Sequence, residues 1–263
     1  MTGDDGADEP GGEAAAPTAS DDAPPADADV SGETNDDPET NVIDRINEIN
    51  VEQKLQDLGA EFDDVDVTVE EFELGAGAYA DVFAATDRTG YDGNSVVFLT
   101  RDGADLPPLS DALPEQAERD TRDRVLMVLG RGADLWALPG GGQSQEYESM
   151  QGTTLRRVNE QTGVRCTIAD IEEVFHRKYY PETDAEGSVH TLDVYFRGEY
   201  ASGSIDVDES ELVGAAWFAD PPERMTEGAK RIWESFLAER GRADELDGVT
   251  TDADLEVGDP SGD

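Results

Sequence analysis

Residues 138–164, LPGGGQSQEYESMQGTTLRRVNEQTGV, combine side chains that could take part in phosphate chemistry. A triple-glycine turn opens the stretch, acidic and amide residues follow, and a short helical pattern ends in Thr-Gly-Val. Carboxylates on one face of a helix can hold divalent cations, which neutralise charge during phosphoryl transfer. However, Arg157 stands three residues before Glu160, a spacing that favours an ion pair between them. The stretch indicates a phosphate-handling site, either intact or weakened.

The elements that position these residues follow from apolar periodicity and turn residues. One helix is predicted over 149–162 and ends at Gly163, and a later helix runs from Pro222 to Gly241. The buried side of the first helix is expected to carry Met150, Thr154 and Val158. Strands are predicted at 65–72, 78–86, 95–103, 124–130, 164–175, 190–200 and 211–220. This order predicts an α/β (α+β) sandwich with a mixed sheet.

The composition is strongly acidic, with 63 acidic and 19 basic side chains in 263 residues and a formal net charge of −44. Like charges repel in a compact protein, whereas molar salt shortens the Debye length to about 3 Å. We therefore predict a salt-adapted cytoplasmic protein, with an acidic mimic of nucleic acid as the alternative. Neither nucleic-acid binding nor a membrane segment is expected, because the charge disfavours phosphate backbones and long apolar runs are missing.

The ends of the chain differ in composition from its middle. Residues 1–40 and 241–263 contain few large apolar side chains, which predicts two disordered acidic tails. Residues 41–61 predict an amphipathic helix that packs either on its own domain or on a partner subunit. One domain is expected over 62–240, interrupted by a loop rich in Pro, Asp and Glu at about 104–123. Cys166 is predicted to be a small buried residue, and His176 and His190 to lie on the surface.

Residues 138–164 resemble the Nudix box in both residue types and spacing. Seven of the nine fixed positions match, namely Gly142, Glu148, Arg156, Val158, Glu160, Gly163 and Val164. The preceding Trp-Ala-Leu-Pro-Gly-Gly and the later ELVGAAWFADPPE are also similar to the family pattern. The resemblance covers a core at 93–240 and implies a Nudix-like α/β/α sandwich. Together with the charge, it describes a haloarchaeal-type acidic protein.

What the resemblance implies is hydrolysis of a nucleoside diphosphate linked to another moiety, dependent on Mg²⁺ or Mn²⁺. It assigns Glu160 and the carbonyl of Gly141 to the metal. It assigns Glu148 and Arg156, with Glu160, to the catalytic set. The implied partner is a nucleotide-type small molecule.

Two box positions depart from the family pattern, which places three carboxylates on one helical face. Arg157 and Gln161 replace two of them, so that the charge of these positions changes from −3 to about zero. The cation is therefore expected to bind weakly or to be absent. The candidates for further oxygen ligands are Glu146, Asp193, Glu199, Glu209 and Glu211. Spacing alone does not choose between them.

A cluster of Arg177, Lys178 and Tyr179 is unusual in so acidic a chain. Cations beside an aromatic ring could hold a phosphate group and stack a base, so we assign them to substrate binding. Because the metal site is weakened, the alternative function is a catalytically inactive nucleotide-binding sensor or protein-interaction domain. A third hypothesis is a structural domain that forms a homodimer through its first helix.

Overall fold

The computed structural model describes residues 45–89, 93–105, 121–142, 148–182, 187–242, 246 and 248–255. The predictions for the tail 1–40, for most of the loop 104–123 and for Glu146 lie outside these residues. No helix in this part of the chain is long and apolar enough to span a membrane.

A nine-stranded mixed sheet forms the framework of the described residues. Its strands are β1 (Arg45–Ile46), β2 (Val67–Leu74), β3 (Asn94–Arg101), β4 (Arg124–Gly130), β5 (Trp136–Ala137), β6 (Gly140–Gly142), β7 (Arg165–Pro181), β8 (Ser188–Ser202) and β9 (Leu212–Phe218). The order is β2-β7-β8-β3-β4-β5, with β1 paired to β8, β6 to β3 and β9 to β4. The pairs β2–β7 and β3–β8 are parallel, whereas β7–β8, β3–β6 and β4–β9 are antiparallel.

Helices cover both faces of the sheet. The α-helices in the described residues are α1 (Glu48–Glu61), α2 (Ala76–Thr89), α3 (Met150–Thr162), α4 (Glu227–Glu239) and α5 (Asp252–Leu255). Side chains alternate along β3, so that Val97 and Leu99 join a buried cluster with α1 and α3. Phe98 points to the opposite face, where its ring packs edge to face against Trp233 of α4 with the ring centroids 6.0 Å apart. The predicted α/β/α sandwich with a mixed sheet is confirmed.

Helix α1 packs on its own domain. Val51 and Leu58 are 0% and 3% exposed and belong to the cluster beneath α3. Ile49 points away from this cluster and is 78% exposed. The predicted packing of residues 41–61 on a partner subunit is thus not needed to bury the apolar face of the helix.

Helix α2 corrects one strand prediction. Residues 78–86 were expected to form a strand, but the structure places them within the helix Ala76–Thr89. Alanine has the highest helix propensity, and this stretch is rich in it. Tyr79 and Phe83, four residues apart, have ring centroids 6.4 Å apart, and Thr86 is buried. Helical spacing and alanine content therefore prevail over the short apolar run.

The described residues near the C-terminus also differ from the prediction that 241–263 form a disordered tail. Leu246 and Val249 are 8% and 9% exposed and pack in the cluster around α4. The carbonyl of Thr250 accepts a hydrogen bond from Met225 N–H at 3.1 Å. Two apolar side chains and paired backbone groups therefore fix this segment in spite of its acidic composition.

The same segment explains where α4 begins. Helix α4 starts at Glu227 rather than at Pro222. The N–H of Thr226 donates to the carbonyl of Trp136 and the N–H of Met225 to that of Thr250, and these bonds hold the backbone before the helix in an extended conformation. Thr226 makes no side-chain capping bond. Instead Asp252 Oδ1 accepts the N–H of Glu227 at 2.7 Å, which caps the helix from a distant part of the sequence.

Candidate functional site

The backbone around α3 depends on glycine at two positions. A Cβ at Gly140 would lie 2.3 Å from the carbonyl oxygen of Ser95, so only glycine lets β6 approach β3 this closely. Gly163 ends α3 with φ 70°, a conformation that favours glycine. At the start of α3, Ser149 Oγ accepts the N–H of Gly152 at 3.0 Å. The buried residues of the helix include the predicted Met150, Thr154 and Val158.

The structure brings the three predicted catalytic residues together at α3. Arg156 donates to both carboxylate oxygens of Glu148, from Nε and Nη2, at 2.9 Å each. Thr153 Oγ1 donates to the same carboxylate at 3.0 Å. Arg156 Nη1 also binds Glu160 Oε2 at 2.9 Å. The hydrogen bond to Glu148 raises the pKa of Arg156, and the Arg156–Glu148 pair ties the segment before α3 to the helix.

Arg157 and Gln161 join a carboxylate that comes from outside the box. Arg157 binds Glu211 through Nη1 at 3.2 Å and through Nη2 at 2.5 Å, and it binds Glu160 at 3.3 Å. Gln161 is 8% exposed and bridges two groups: its Nε2 donates to Glu211 at 3.3 Å, and its Oε1 accepts Gly140 N–H at 3.1 Å. The hydrogen bonds that Arg157 donates to Glu211 lower the pKa of Glu211.

The residues assigned to the metal do not fit a divalent cation as they stand. Glu160 binds both neighbouring arginines, and Glu211 binds Arg157, so each carboxylate already has a cationic partner. A Cβ at Gly141 would lie 3.6 Å from Arg157 Nε, which places the side chain of Arg157 beside the predicted backbone ligand. No three His, Cys, Asp or Glu side chains of the described residues cluster in a way that could hold a metal ion.

Of the more distant carboxylates considered as ligands, Glu211 is the one that reaches α3. Asp193 pairs with Arg177 in a separate cluster, and Glu199 and Glu209 are exposed. The turn before β9 brings Glu211 into place, because Asp208 N–H donates to the carbonyl of Gln161 at 3.0 Å. Sequence spacing did not carry this information, since Glu211 lies 50 residues from Gln161.

A second polar cluster lies on the α4 face of the sheet. Arg177 on β7 binds Glu70 Oε2 at 2.8 Å and also pairs with Asp193. Asp193 is 4% exposed and accepts the N–H of Asn94 at 2.9 Å. Burial raises the pKa of Asp193, while Arg177 acts in the opposite direction. Arg177 thus compensates a buried carboxylate and also faces a cavity.

That cavity has a volume of about 400 Å³ and lies between the sheet and the first turn of α4. Arg177 and Arg231 both line it, as do Tyr195 and Asp252. Arg231 binds Glu173 at 2.6 Å, and its guanidinium lies over the ring of Tyr195 at 5.2 Å. Two guanidinium groups and an aromatic ring therefore border one space.

The predicted substrate-binding residues do not all lie together. Lys178 points to the face opposite Arg177, since successive strand residues alternate, and its Nζ lies 3.7 Å from Glu71 Oε1. The ring of Tyr179 stacks on Phe72 at 5.5 Å. Of the three, only Arg177 lines the cavity.

His176 and His190 are buried, which corrects their assignment to the surface. They are 8% and 3% exposed, and His176 Nε2 lies 3.0 Å from His190 Nδ1. His190 Nε2 lies 2.9 Å from Ser188 Oγ. The antiparallel β7–β8 ribbon brings the two rings together on the α1 face. When both rings are neutral, one nitrogen can donate and the other accept a hydrogen bond. When both rings are protonated, two N–H groups would face each other.

We expect this pair to make folding sensitive to acid. Burial lowers the pKa of His176 from 6.5; Lys178 acts in the same direction, while Glu48 and Glu52 oppose it. Folding favours the neutral imidazole of His176. The resulting contribution to the free energy of unfolding is fully present above pH 6.5 and is lost as the pH falls through the pKa of His176 in the folded protein. Urea unfolding of the native chain should show a steeper loss below this pH than His176→Gln, by at most about 1.4 kcal/mol per pH unit. Parallel curves would contradict the prediction.

Residues 117–233 match the model of the NUDIX domain, a segment that contains the glycine strand β6, helix α3 and the turn that carries Glu211. This segment, 117 of the 263 residues, is therefore a domain of the Nudix superfamily. Nudix hydrolases act on nucleotide-type small molecules and generally use divalent metal ions. No curated protein matches the chain.

Several solved structures are similar to this chain. The MutT NUDIX hydrolase of Burkholderia pseudomallei has 17% identity and a TM-score of 0.31, over 53% of this chain and 96% of that one. The MutT protein of Methanosarcina mazei Go1 has 18% identity and a TM-score of 0.37, over 57% and 96%. An Ap4A hydrolase of C. elegans has 11% identity and a TM-score of 0.34, over 59% and 92%.

Proposed function

We propose that this chain binds a nucleotide-type ligand with its phosphate groups in the cavity between the sheet and α4. The observation that carries the proposal is the convergence of Arg177 and Arg231 on a space of about 400 Å³. Guanidinium groups present paired N–H donors that match phosphate oxygens. Tyr195 adds aromatic surface on which a base can lie.

The position of the cavity relative to the box supports the same function. Asn94 and Val96 of β3 line the cavity, and they pair with Gly142 and Gly140 of β6. Gly141, between these two glycines, faces Arg157. The cavity thus borders the β3–β6 pair that carries the glycines of the box, while α3 itself packs on the other face of the sheet.

Cation-dependent hydrolysis of such a ligand is the second candidate function. It is favoured by Glu148, Arg156 and Glu160, which stand at their box positions and contact one another. The side chain of Glu160 is 45% exposed, so an ion from solvent could reach it by displacing an arginine. Release of a nucleoside monophosphate in the presence of Mn²⁺ would distinguish cleavage from binding alone.

We further propose that the protein works in a cytoplasm of high salt, on the basis of its net charge of −44. The hypothesis of a homodimer through α1 has less support. Among the residues of this helix whose exposure is described, Ile49 is the one exposed large apolar side chain. A single such residue is common on the surface of monomeric proteins.

Arg231→Gln should weaken binding of nucleoside diphosphate compounds about 10- to 100-fold, because one charge-assisted contact contributes about 1.5–3 kcal/mol. Calorimetry in molar KCl with a panel of dinucleotides and nucleotide sugars would measure the change. Arg165→Gln, at an exposed position at the start of β7, removes the same charge outside the cavity and should leave affinity unchanged. Equal losses in both variants, or no binding of any member of the panel, would contradict the proposed function.

A further inference from the structure

The side chain of Arg157 contacts the residues that the resemblance assigns to a divalent cation. Its guanidinium is held by both oxygens of Glu211 and by Glu160, and it lies beside Gly141. Glu160 and Gly141 are the two residues that the Nudix box assigns to the metal. The groups that would surround an ion here surround a guanidinium instead.

Gln161 suits this arrangement and would not suit a carboxylate. Its amide must donate to Glu211 and at the same time accept from the backbone of Gly140. A glutamate at this position could accept but not donate, and it would repel Glu211. The two departures from the box are therefore matched to each other and to a third residue outside it.

The charges lead to the same conclusion. Arg157 is cationic at every pH at which the protein folds, and its hydrogen bonds to Glu211 raise its pKa further. A divalent ion bound to Glu160 and Glu211 would have to share them with this guanidinium, and the two cations would repel. One occupant excludes the other.

We infer that the guanidinium of Arg157 takes the place of the divalent cation in this Nudix site. The geometry around α3 then needs no added metal, and the ligand binding proposed above proceeds without one. This inference deepens the proposed function, but its test concerns the ion alone and uses no nucleotide. Failure to find a ligand would leave it intact.

Titration of Mn²⁺ into the full chain in molar KCl, with free ion followed by its paramagnetic resonance signal, tests the inference. Neither Glu160→Gln nor Glu211→Gln should reduce the binding of Mn²⁺ relative to the native protein. Arg157→Glu should bind one Mn²⁺ per chain, at least about tenfold more tightly than any Mn²⁺ that the native protein binds, because three carboxylates then converge.

Arg165→Glu is the matched control, since it changes the net charge equally at an exposed residue at the start of β7, beyond the end of α3. It should bind Mn²⁺ no better than the native chain. A native site for Mn²⁺ that depends on Glu160 or Glu211 would overturn the inference. So would an Arg157→Glu protein that folds and gains no ion. If that variant does not fold, the native titration with its two glutamine variants still decides the question.

Discussion

Arg157→Glu combined with Gln161→Glu should raise Mn²⁺-dependent cleavage of a nucleoside diphosphate derivative by at least about two orders of magnitude. The double change restores carboxylates three and four residues apart on one face of α3, together with Glu160. A cation held there stabilises the charge that develops at phosphorus by several kcal/mol. Release of nucleoside monophosphate in molar KCl is the measurement.

Two controls make this result specific. Gln161→Glu alone should gain no activity, because Arg157 still fills the site. Arg165→Glu combined with the same Gln161 change matches the double variant in net charge but leaves the guanidinium in place. A folded double variant that binds Mn²⁺ and cleaves no faster than the native chain would contradict the prediction, and it would show that more than the ion has been lost.

Transfer from molar KCl to about 0.1 M KCl should unfold the protein or greatly reduce its stability. The Debye length grows from about 3 Å to about 10 Å over this range. The net charge of −44 then repels itself across most of the molecule. Circular dichroism during thermal unfolding at several KCl concentrations would record a large fall in Tm as salt is removed.

Sucrose at matched osmolality distinguishes screening from other effects of the solute, because it favours compact states without shielding charge. It should restore little of the lost stability. The same Tm in 0.1 M and 2 M KCl would refute the assignment to a high-salt interior. It would favour the acidic mimic, whose charge serves a basic partner instead.

The features that sequence predicted correctly around α3 are local. Ser149 and Gly163 bound a helix whose apolar residues recur at helical spacing, and such signals need no knowledge of distant residues. The strands that flank the box have strong apolar patterns for the same reason. Local patterning failed for 78–86, because a short apolar run rich in alanine is compatible with either a strand or a helix.

The features that sequence missed depend on pairing between distant segments. His176 and His190 meet because β7 and β8 pair in one particular register, in which Lys178 lies opposite His190. Glu211 reaches α3 because a turn bonds to the end of that helix. Leu246 and Val249 are two apolar residues in an acidic stretch. They are buried because they pack in the cluster that α4 forms with β3 and β4.

The hydrogen bonds of the Gln161 amide constrain the order in which mutations could have built this site. An ancestor with an ordinary metal centre would lose its ion by acquiring Arg157, and only then would a neutral donor at position 161 become favourable. The reverse order would remove a ligand while offering its neighbour nothing in return. If Arg157 fills the place of the ion, the effects of substitutions at positions 157 and 161 depend on one another.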